Sequence, residues 1–407
     1  MLQVWVDGKK VGVLDRLPYG GSTFAYNSDV DAANEVSLTL PRRVQSYDRP
    51  RGLTPIFDMN LPEGFLRERL RLEFAKQLGT FDEFDLLGII GRTQIGRVKF
   101  SGMDEDLNSD VPFQSVDEIL QSRREGSLVP LLIEKYATYS GISGVQPKVL
   151  LNGDETRSVK TATHIVKFAN DEYPELPINE FFCLEAARRL GLEVPEFQLS
   201  QDGDALVVSR FDIQDGKPLG FEDFCVLNGL DTQEKYRGGY EKALFRRIRD
   251  FVSLEHRPDA LRNAFTLFVL NAAIRNGDAH LKNWGLIYEH TDGPTHLAPA
   301  YDLVTTTAYI AEDQMALTLD ARPAWPDPKQ LIRLGSTRAD LTVPQINAIF
   351  DNVADTLSDI APEVKAHFDQ TAHPEIGEAM LASWNEGVSQ SLGVIRDITP
   401  ADGISPK

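Results

Sequence analysis

The order of hydrophobic patterns along the 407 residues predicts an α+β fold of two or three domains. Three observations carry this reading. The first hundred residues alternate like short strands before one helical pattern begins. From Leu128 to Leu219 strand patterns surround a single helix. Beyond Phe221 helical periodicity takes over. Apolar residues make up 42% and charged residues 25%, which excludes collagen-like, low-complexity and wholly disordered chains.

Taken in order, Leu2 to Val6 and Lys10 to Leu14 flank Asp7-Gly8, the signature of a β-hairpin. Val36 to Leu40 alternates again and stops at Pro41, which reads as a further strand. Pro62-Glu63 opens a helix running through Phe74. Ser101 to Ser127 is polar and acidic, the best boundary in the chain. Lys148 to Leu151, His164 to Phe168 and Ala205 to Val208 read as strands, and Ile178 to Leu190 as a helix ended by Gly191. Helices are expected over Tyr240 to Leu254, Asp259 to Arg275, Val343 to Ile360 and Glu375 to Leu392. A hairpin with an Asp292-Gly293 turn is expected between Trp284 and Pro299, and the end, Thr399 to Lys407, reads as frayed. The resulting division is 1–105, 128–220 and 221–398.

Net charge is −19, which argues against a free-standing nucleic-acid binder. The charge is uneven: residues 1–100 carry +1 and the remainder −20. That asymmetry fits either regions with different partners or solubility alone. Two cysteines, Cys183 and Cys225, lie in apolar surroundings and read as buried thiols, too few for a disulfide framework or a Cys-rich zinc site. Asp7, Lys9 and Lys10 interrupt the N-terminal apolar run, so no signal peptide is expected. The longest apolar stretch, Phe265 to Ile274, is too short for the ~20 residues of a membrane helix. A cytoplasmic protein with no membrane partner is expected.

Five features follow one another in an order that points to phosphate chemistry. Ser140 to Lys148 is a glycine loop opening a strand; its backbone N–H groups suit phosphates, though a glycine-turned hairpin explains it too. Lys167 lies in the apolar strand HIVKF. Glu180 and Glu185 sit on the following helix, either as an ion-pair partner for that lysine or as acidic residues suited to the helix dipole. Asp278 and Asn283, five apart, match the D-x-x-x-x-N loop of protein kinases, where Asp handles the substrate hydroxyl and Asn binds metal; Asn-Gly-Asp is also plain turn chemistry. Asp302 follows 19 residues later, where kinases carry the second metal-binding Asp.

With SGVQPK, THIVKF, INEFFCLEAARRLGL, LVVSRFD, FEDFC, NGDAHLKNW and PAYDL in this order, the chain resembles the HipA-type serine/threonine kinases, toxins of bacterial type II toxin–antitoxin pairs. Residues 55–64 and 84–88 resemble that family's N-terminal subdomain. The resemblance implies a protein-kinase-like two-lobed α+β fold with a β-rich N-terminal subdomain and an all-α C-terminal lobe, and ATP and Mg²⁺ between the α/β and α lobes. It implies that Gly144, Val145, Gln146, Lys148 and Lys167 contact phosphates and that Ser209, Arg210 and Phe211 form the strand beside adenine. Asp278 would be catalytic, and Asn283 and Asp302 would hold the metal. His280 would lie near the nucleotide or serve as an ordinary loop histidine. Family members carry an autophosphorylated loop serine. Gly141 stands at one such position, which leaves Ser143, with Ser140 behind it, as the expected phospho-site. The implied partners are a protein substrate such as an aminoacyl-tRNA synthetase and a HipB-like DNA-binding antitoxin, with DNA reached only through the antitoxin.

Two other readings remain at this level. A small-molecule phosphotransferase shares the D-x4-N…D layout, but the N-terminal hundred residues and the SGVQPK loop argue against it. A binding module acting as corepressor with the antitoxin is compatible with kinase activity. Thr305 to Thr307 fit either an activation segment or, better, an ordinary strand.

Overall fold

The first strand begins at the second residue, because Leu2, Val4 and Val6 have an apolar face to bury and Asp7-Gly8 supplies the turn: both turn residues have positive φ, 50° and 75°. The computed structural model describes residues 1–78, 81–107, 110–122, 129–144, 146–153, 162–396 and 398, with backbone alone at 75–78 and 129. Val145, the 399–407 end and 123–127 of the expected boundary lie outside the described residues. The chain divides into two compact units, each discontinuous in sequence.

The β-rich unit comprises Met1–Ala169, Glu196–Lys235 and Gly285–His296. Its first sheet has the order β4-β3-β2-β1-β5, from β1 (Leu2–Val6), β2 (Lys9–Leu17), β3 (Gly21–Tyr26), β4 (Tyr47–Arg49) and β5 (Val98–Gly102), all antiparallel. Phe24, Phe57 and Phe100, all fully buried, meet edge to face at 5.1 and 5.5 Å. The helix expected from Pro62 spans Gly64–Leu78, and a second helix, Glu83–Ile90, starts in an Asp82/Asp85 capping box.

A second antiparallel sheet, order β6-β7-β9-β8, contains β6 (Lys148–Leu151), β7 (His164–Phe168), β8 (Phe197–Leu199) and β9 (Ala205–Ser209). The strands expected over 148–151, 164–168 and 205–208 are all present. A two-residue pair, β10 (Ile213–Gln214) and β11 (Lys217–Pro218), leads to a third sheet of β12 (Gly220–Asp223), β13 (Gly285–Tyr288) and β14 (Thr295–Leu297). Pairing of β12 with β13 draws Gly285–His296 into this unit.

Val36 to Leu40 is not a strand, contrary to its alternation. Val36 and Leu40 are buried, but the backbone serves a side chain instead of a ladder. Leu38 N–H donates to the Glu222 carboxylate at 2.7 Å, and the Ser37 hydroxyl donates at 2.8 Å. The Tyr288 hydroxyl donates to the same carboxylate at 2.5 Å. Glu222 is wholly buried, and that burial pushes its pKa up to about 7 against the pull of these donors and of Arg97.

The helical unit comprises Asn170–Pro195, Tyr236–Trp284 and Leu297–Lys407. Its helices are Leu176–Arg189, Arg257–Ala273, Pro328–Arg338, Val343–Phe368 and Pro374–Gly387, with shorter turns between them. Each of these five has proline in its first turn, where a missing N–H costs nothing. In Arg257–Ala273, Leu261, Ala264, Phe265, Phe268, Val269 and Ala272 recur at helical spacing and are buried. Two expected helices are broken. Tyr240 to Leu254 forms a π-turn, Glu241–Phe245, before a short helix, Arg246–Phe251. Glu375 to Leu392 ends in a second π-turn, Val388–Leu392. At that second break Gly387 passes the Ala273 carbonyl so closely that a Cβ would lie 2.0 Å from its oxygen. Among the described residues no helix is long and apolar enough to cross a membrane.

Thr305 to Thr307 do not form a strand. Thr305 is buried, accepts the Trp384 indole N–H at 2.7 Å and donates its own N–H to Asn179 at 2.8 Å. Thr306 opens a 3₁₀ turn. Both cysteines are buried free thiols, and burial pushes Cys183 up to about 12, so it is inert as a nucleophile near neutral pH.

A carboxyl whose folded pKa is raised favours the folded state while protonated. Its contribution is therefore lost as pH rises from the ordinary value of 4.5 to about 7. Glu222→Gln keeps an acceptor for Leu38 and Tyr288 and turns a donor toward Ser37. Urea unfolding at pH 5 and pH 7.5 should show the Gln variant gaining stability relative to wild type as pH rises, by on the order of 3 kcal/mol at full effect. Parallel pH profiles would remove Glu222 as the cause.

Candidate active site

Within the β-rich unit the glycine loop is fastened at each end. Ser140 is wholly buried: its hydroxyl donates to the Tyr136 carbonyl at 2.7 Å and accepts the Leu150 N–H at 2.9 Å. Gly141 has no room for a side chain, since a Cβ would lie 2.8 Å from the Gln94 backbone. The Ser143 hydroxyl donates to Glu63, whose other oxygen accepts the Lys235 ammonium at 2.8 Å. Gly144 has φ of +124°, and a Cβ there would lie 2.3 Å from Lys148 Nζ. Lys148 Nζ reaches the Ser143 carbonyl at 3.4 Å, and Gln146 donates to the Phe168 carbonyl at 3.2 Å.

Lys148 on β6 and Lys167 on β7 are direct partners in the antiparallel ladder, so both project from one face of the sheet. Both are buried. An anion set against that face would meet both side chains. At the end of β9, Ser209 is half-buried and Phe211 meets Phe221 edge to face at 5.5 Å. Arg210 is committed to structure: it grips buried Asp212 in two bonds of 2.9 and 2.6 Å and donates to the Ala162 carbonyl at 3.0 Å. Burial alone would raise the Asp212 pKa; Arg210 and the Gly96 N–H hold it below the ordinary value.

In the helical unit the Asn276–Asn283 loop grows from the end of Arg257–Ala273. The Asn276 N–H returns to the Asn271 carbonyl at 2.9 Å, and Arg275 takes the left-handed conformation, φ 56°, a position usually given to glycine. Side chains repeat the tie: Asn276 Nδ2 donates to Asn271 Oδ1 at 2.7 Å, and Asn276 Oδ1 accepts the Asp278 N–H at 3.1 Å.

Asp278 is half-exposed and accepts the Tyr236 hydroxyl at 2.7 Å. His280 is buried, with its ring edge to face with Tyr236 at 5.1 Å and its Nε2 4.0 Å from Asp278. Asn283 is buried; its Nδ2 donates to the Asp302 carbonyl at 3.3 Å. Its Oδ1 is buried with no hydrogen-bond partner among the described residues. Asp302 is left-handed, φ 53°. An orphaned amide oxygen beside an aspartate is a hard-oxygen donor set of the kind Mg²⁺ takes, with the remaining ligands left to substrate phosphates. Among the described residues no group of three or more His, Cys, Asp or Glu side chains is placed to hold a metal.

Of the two helix glutamates, Glu185 is paired with Arg188 and with Arg189 at 2.8 Å, whereas Glu180 is the deeply buried one. Glu63, Lys235, Tyr236 and Asn271 escape sequence reasoning. Only Asn271 carries a signal there, as the one polar residue in the apolar run Phe265 to Ile274 apart from Thr266.

A glycine loop with opposed strand lysines and an Asp-x4-Asn loop beside a later Asp define a kinase-like α+β protein. Residues 140–361 match the HipA-like C-terminal domain and residues 2–101 the HipA N-terminal domain, and the chain belongs to the HipA family. Y4dM of Sinorhizobium fredii, a candidate kinase by name, is 30% identical over 78% of this chain and 80% of its own length. The serine/threonine-protein kinase toxin HipA of Shewanella oneidensis is 29% identical over 50% of this chain and 52% of its own. A chain from the Shewanella oneidensis complex of HipA, HipB and operator DNA shares the fold, with a TM-score of 0.69 at 19% identity, over 99% of this chain and 100% of that one.

Gly144→Ala forces a side chain into a backbone region reserved for glycine and against Lys148. It should destabilise the β-rich unit by about 1–3 kcal/mol, read by denaturant unfolding.

Proposed function

We propose that the chain is an ATP-dependent serine/threonine protein kinase acting as the toxin of a toxin–antitoxin pair. The observation that carries this is the Asn283 oxygen, buried and orphaned beside Asp302, on the same loop as the half-exposed carboxylate of Asp278. Family membership supplies the reaction class. In this reading Lys148, Lys167 and the backbone of Gly144, Val145 and Gln146 hold the nucleotide phosphates. The segment Ser209, Arg210 and Phe211 lies beside adenine through its backbone, since the Arg210 side chain is already committed. Asp278 orients the protein hydroxyl and takes its proton, held in one rotamer by Tyr236. Asn283 and Asp302 hold Mg²⁺, which supplies charge neutralisation on the transferred phosphoryl group. His280, packed against Tyr236, supports the same loop.

Ser143 is the autophosphorylation site in this reading. Ser140 is wholly buried with both hydrogen-bonding roles of its hydroxyl used, while Ser143 is half-buried and already donates its proton to a carboxylate. A phosphate on Ser143 would face Glu63 and repel it. The proposed partner is a HipB-like DNA-binding antitoxin, as in the complex of the similar Shewanella protein. In this reading any DNA contact falls to that antitoxin, because a net charge of −19 is poorly suited to meeting phosphates alone. The proposed substrate is a cytoplasmic protein, an aminoacyl-tRNA synthetase by family resemblance.

Labelled γ-phosphate transfer into lysate proteins should be seen with wild type and lost with Asp278→Ala, whose melting temperature should stay within about 2 °C because a half-exposed loop carboxylate carries little of the core. Full activity in that variant would disprove the assignment. After incubation with ATP and Mg²⁺, mass spectrometry should find phosphate on Ser143 and none on Ser140.

A further inference from the structure

We propose that Thr306 is a positioning residue for Asp278, fixing the catalytic loop through its hydroxyl; this rests on the kinase reading above. Thr306 lies four residues past Asp302, in the segment that does not form a strand. Its Oγ1 accepts the Gly277 N–H at 2.7 Å, one residue before Asp278. The same oxygen lies 3.1 Å from the Arg275 carbonyl and 2.5 Å from Asp313 Oδ2. A hydroxyl has a single proton, and the carboxylate is the stronger acceptor, so Thr306 donates to Asp313 and accepts from Gly277.

Asp313 is itself held. Its Oδ1 accepts the Gln314 N–H at 2.9 Å, and its carbonyl accepts the Trp325 indole N–H at 3.1 Å. The Trp325 ring faces the Arg275 guanidinium at 4.9 Å. Arg275 is buried and donates to Ser391 at 3.0 Å and Gln390 at 3.1 Å. The contacts thus form a ring, Arg275–Trp325–Asp313–Thr306–Gly277, that returns to the backbone from which Asp278 projects. Gly277 completes it: a Cβ would lie 2.0 Å from Asp313 Oδ2, so glycine is what lets the carboxylate approach. The Asn-Gly-Asp sequence is therefore set by this approach as well as by turn chemistry. Removing the hydroxyl leaves the Gly277 N–H and the Asp313 carboxylate without it, and Asp278 loses its fixed position relative to the segment carrying Asp302.

The test compares full-length wild type, Thr306→Val, Thr306→Ser and Asp278→Ala in labelled γ-phosphate transfer to lysate proteins, with amide hydrogen exchange over Gly277–Ala279. Thr306→Val, nearly isosteric, should lower kcat at least tenfold with the KM for ATP within twofold, and should speed Gly277 exchange at least tenfold. Thr306→Ser should restore both to within threefold of wild type. Val retaining kcat within twofold, or Ser as slow as Val, overturns the proposal. Should Val fail to fold, Asp313→Asn serves instead, with an expected loss of at least threefold in kcat; an unchanged kcat overturns the proposal equally. Should wild type transfer no more phosphate than Asp278→Ala, the kinase reading fails. Hydrogen exchange then decides the Thr306 role alone, and equal Gly277 exchange in wild type and Val rejects it.

Discussion

A helix that ends inside a protein must satisfy its last carbonyls without water, and the candidate active site is built on that constraint. The helix Arg257–Ala273 is buried along the face that carries Leu261, Phe265, Phe268 and Val269, and its end is buried with it. Asn276 returns its N–H to Asn271, Arg275 takes the left-handed turn, and Gly387 presses against Ala273. An arginine in that conformation costs about 1 kcal/mol or more relative to glycine. The offset is visible in what its side chain does, gripping Ser391 and Gln390 and facing Trp325. The strain sits one residue before the loop that carries Asp278, His280 and Asn283, so the same packing that closes the helix also aims the loop.

The β-rich unit obeys a related rule, that buried charge must be met by directed hydrogen bonds or an opposite charge. Arg210 and Asp212 meet each other. Arg97 meets the Ala33 and Glu35 carbonyls at 2.8 Å and Asp7 at 3.2 Å. Glu222 is met by three neutral donors and so retains a raised pKa, while the Lys99 ammonium, bonded to the Gln94 carbonyl and desolvated, is pushed down to about 7. These polar knots tie segments far apart in sequence, such as Ser37 to Glu222, and fix β12 and β13 beside the first sheet.

Much of this is legible in the sequence, and its limits have physical causes. Strands 2–6, 148–151, 164–168 and 205–208 are legible because each is a short, mostly apolar run, buried along nearly its whole length. Val36 to Leu40 alternates, but its Leu38 N–H and Ser37 hydroxyl go to a carboxylate 184 residues beyond Leu38, which no local pattern reveals. The two π-turns are invisible because a helical period survives one extra residue per turn. Thr305 to Thr307 have the β-branching of a strand, but their hydroxyls serve Trp384, Gly277 and Ser383. The residues proposed for chemistry stand out in sequence because their spacing is short and local. Those that hold them, Glu63, Tyr236, Thr306 and Asp313, are joined to them only by folding.

The sequence by itself determines most of the element types, the order of glycine loop, strand lysine, Asp-x4-Asn and later Asp, and through them the family. Period, turn chemistry and spacing are properties of neighbouring residues, and a chain carries them before it folds. Tertiary structure alone decides that Ser140 is sealed while Ser143 reaches Glu63, that Lys148 and Lys167 oppose each other across a ladder, that Asn283 keeps an orphaned oxygen, and that Thr306 supports Gly277. Each depends on burial and on hydrogen bonds between distant segments, which exist only once water has been excluded from both partners.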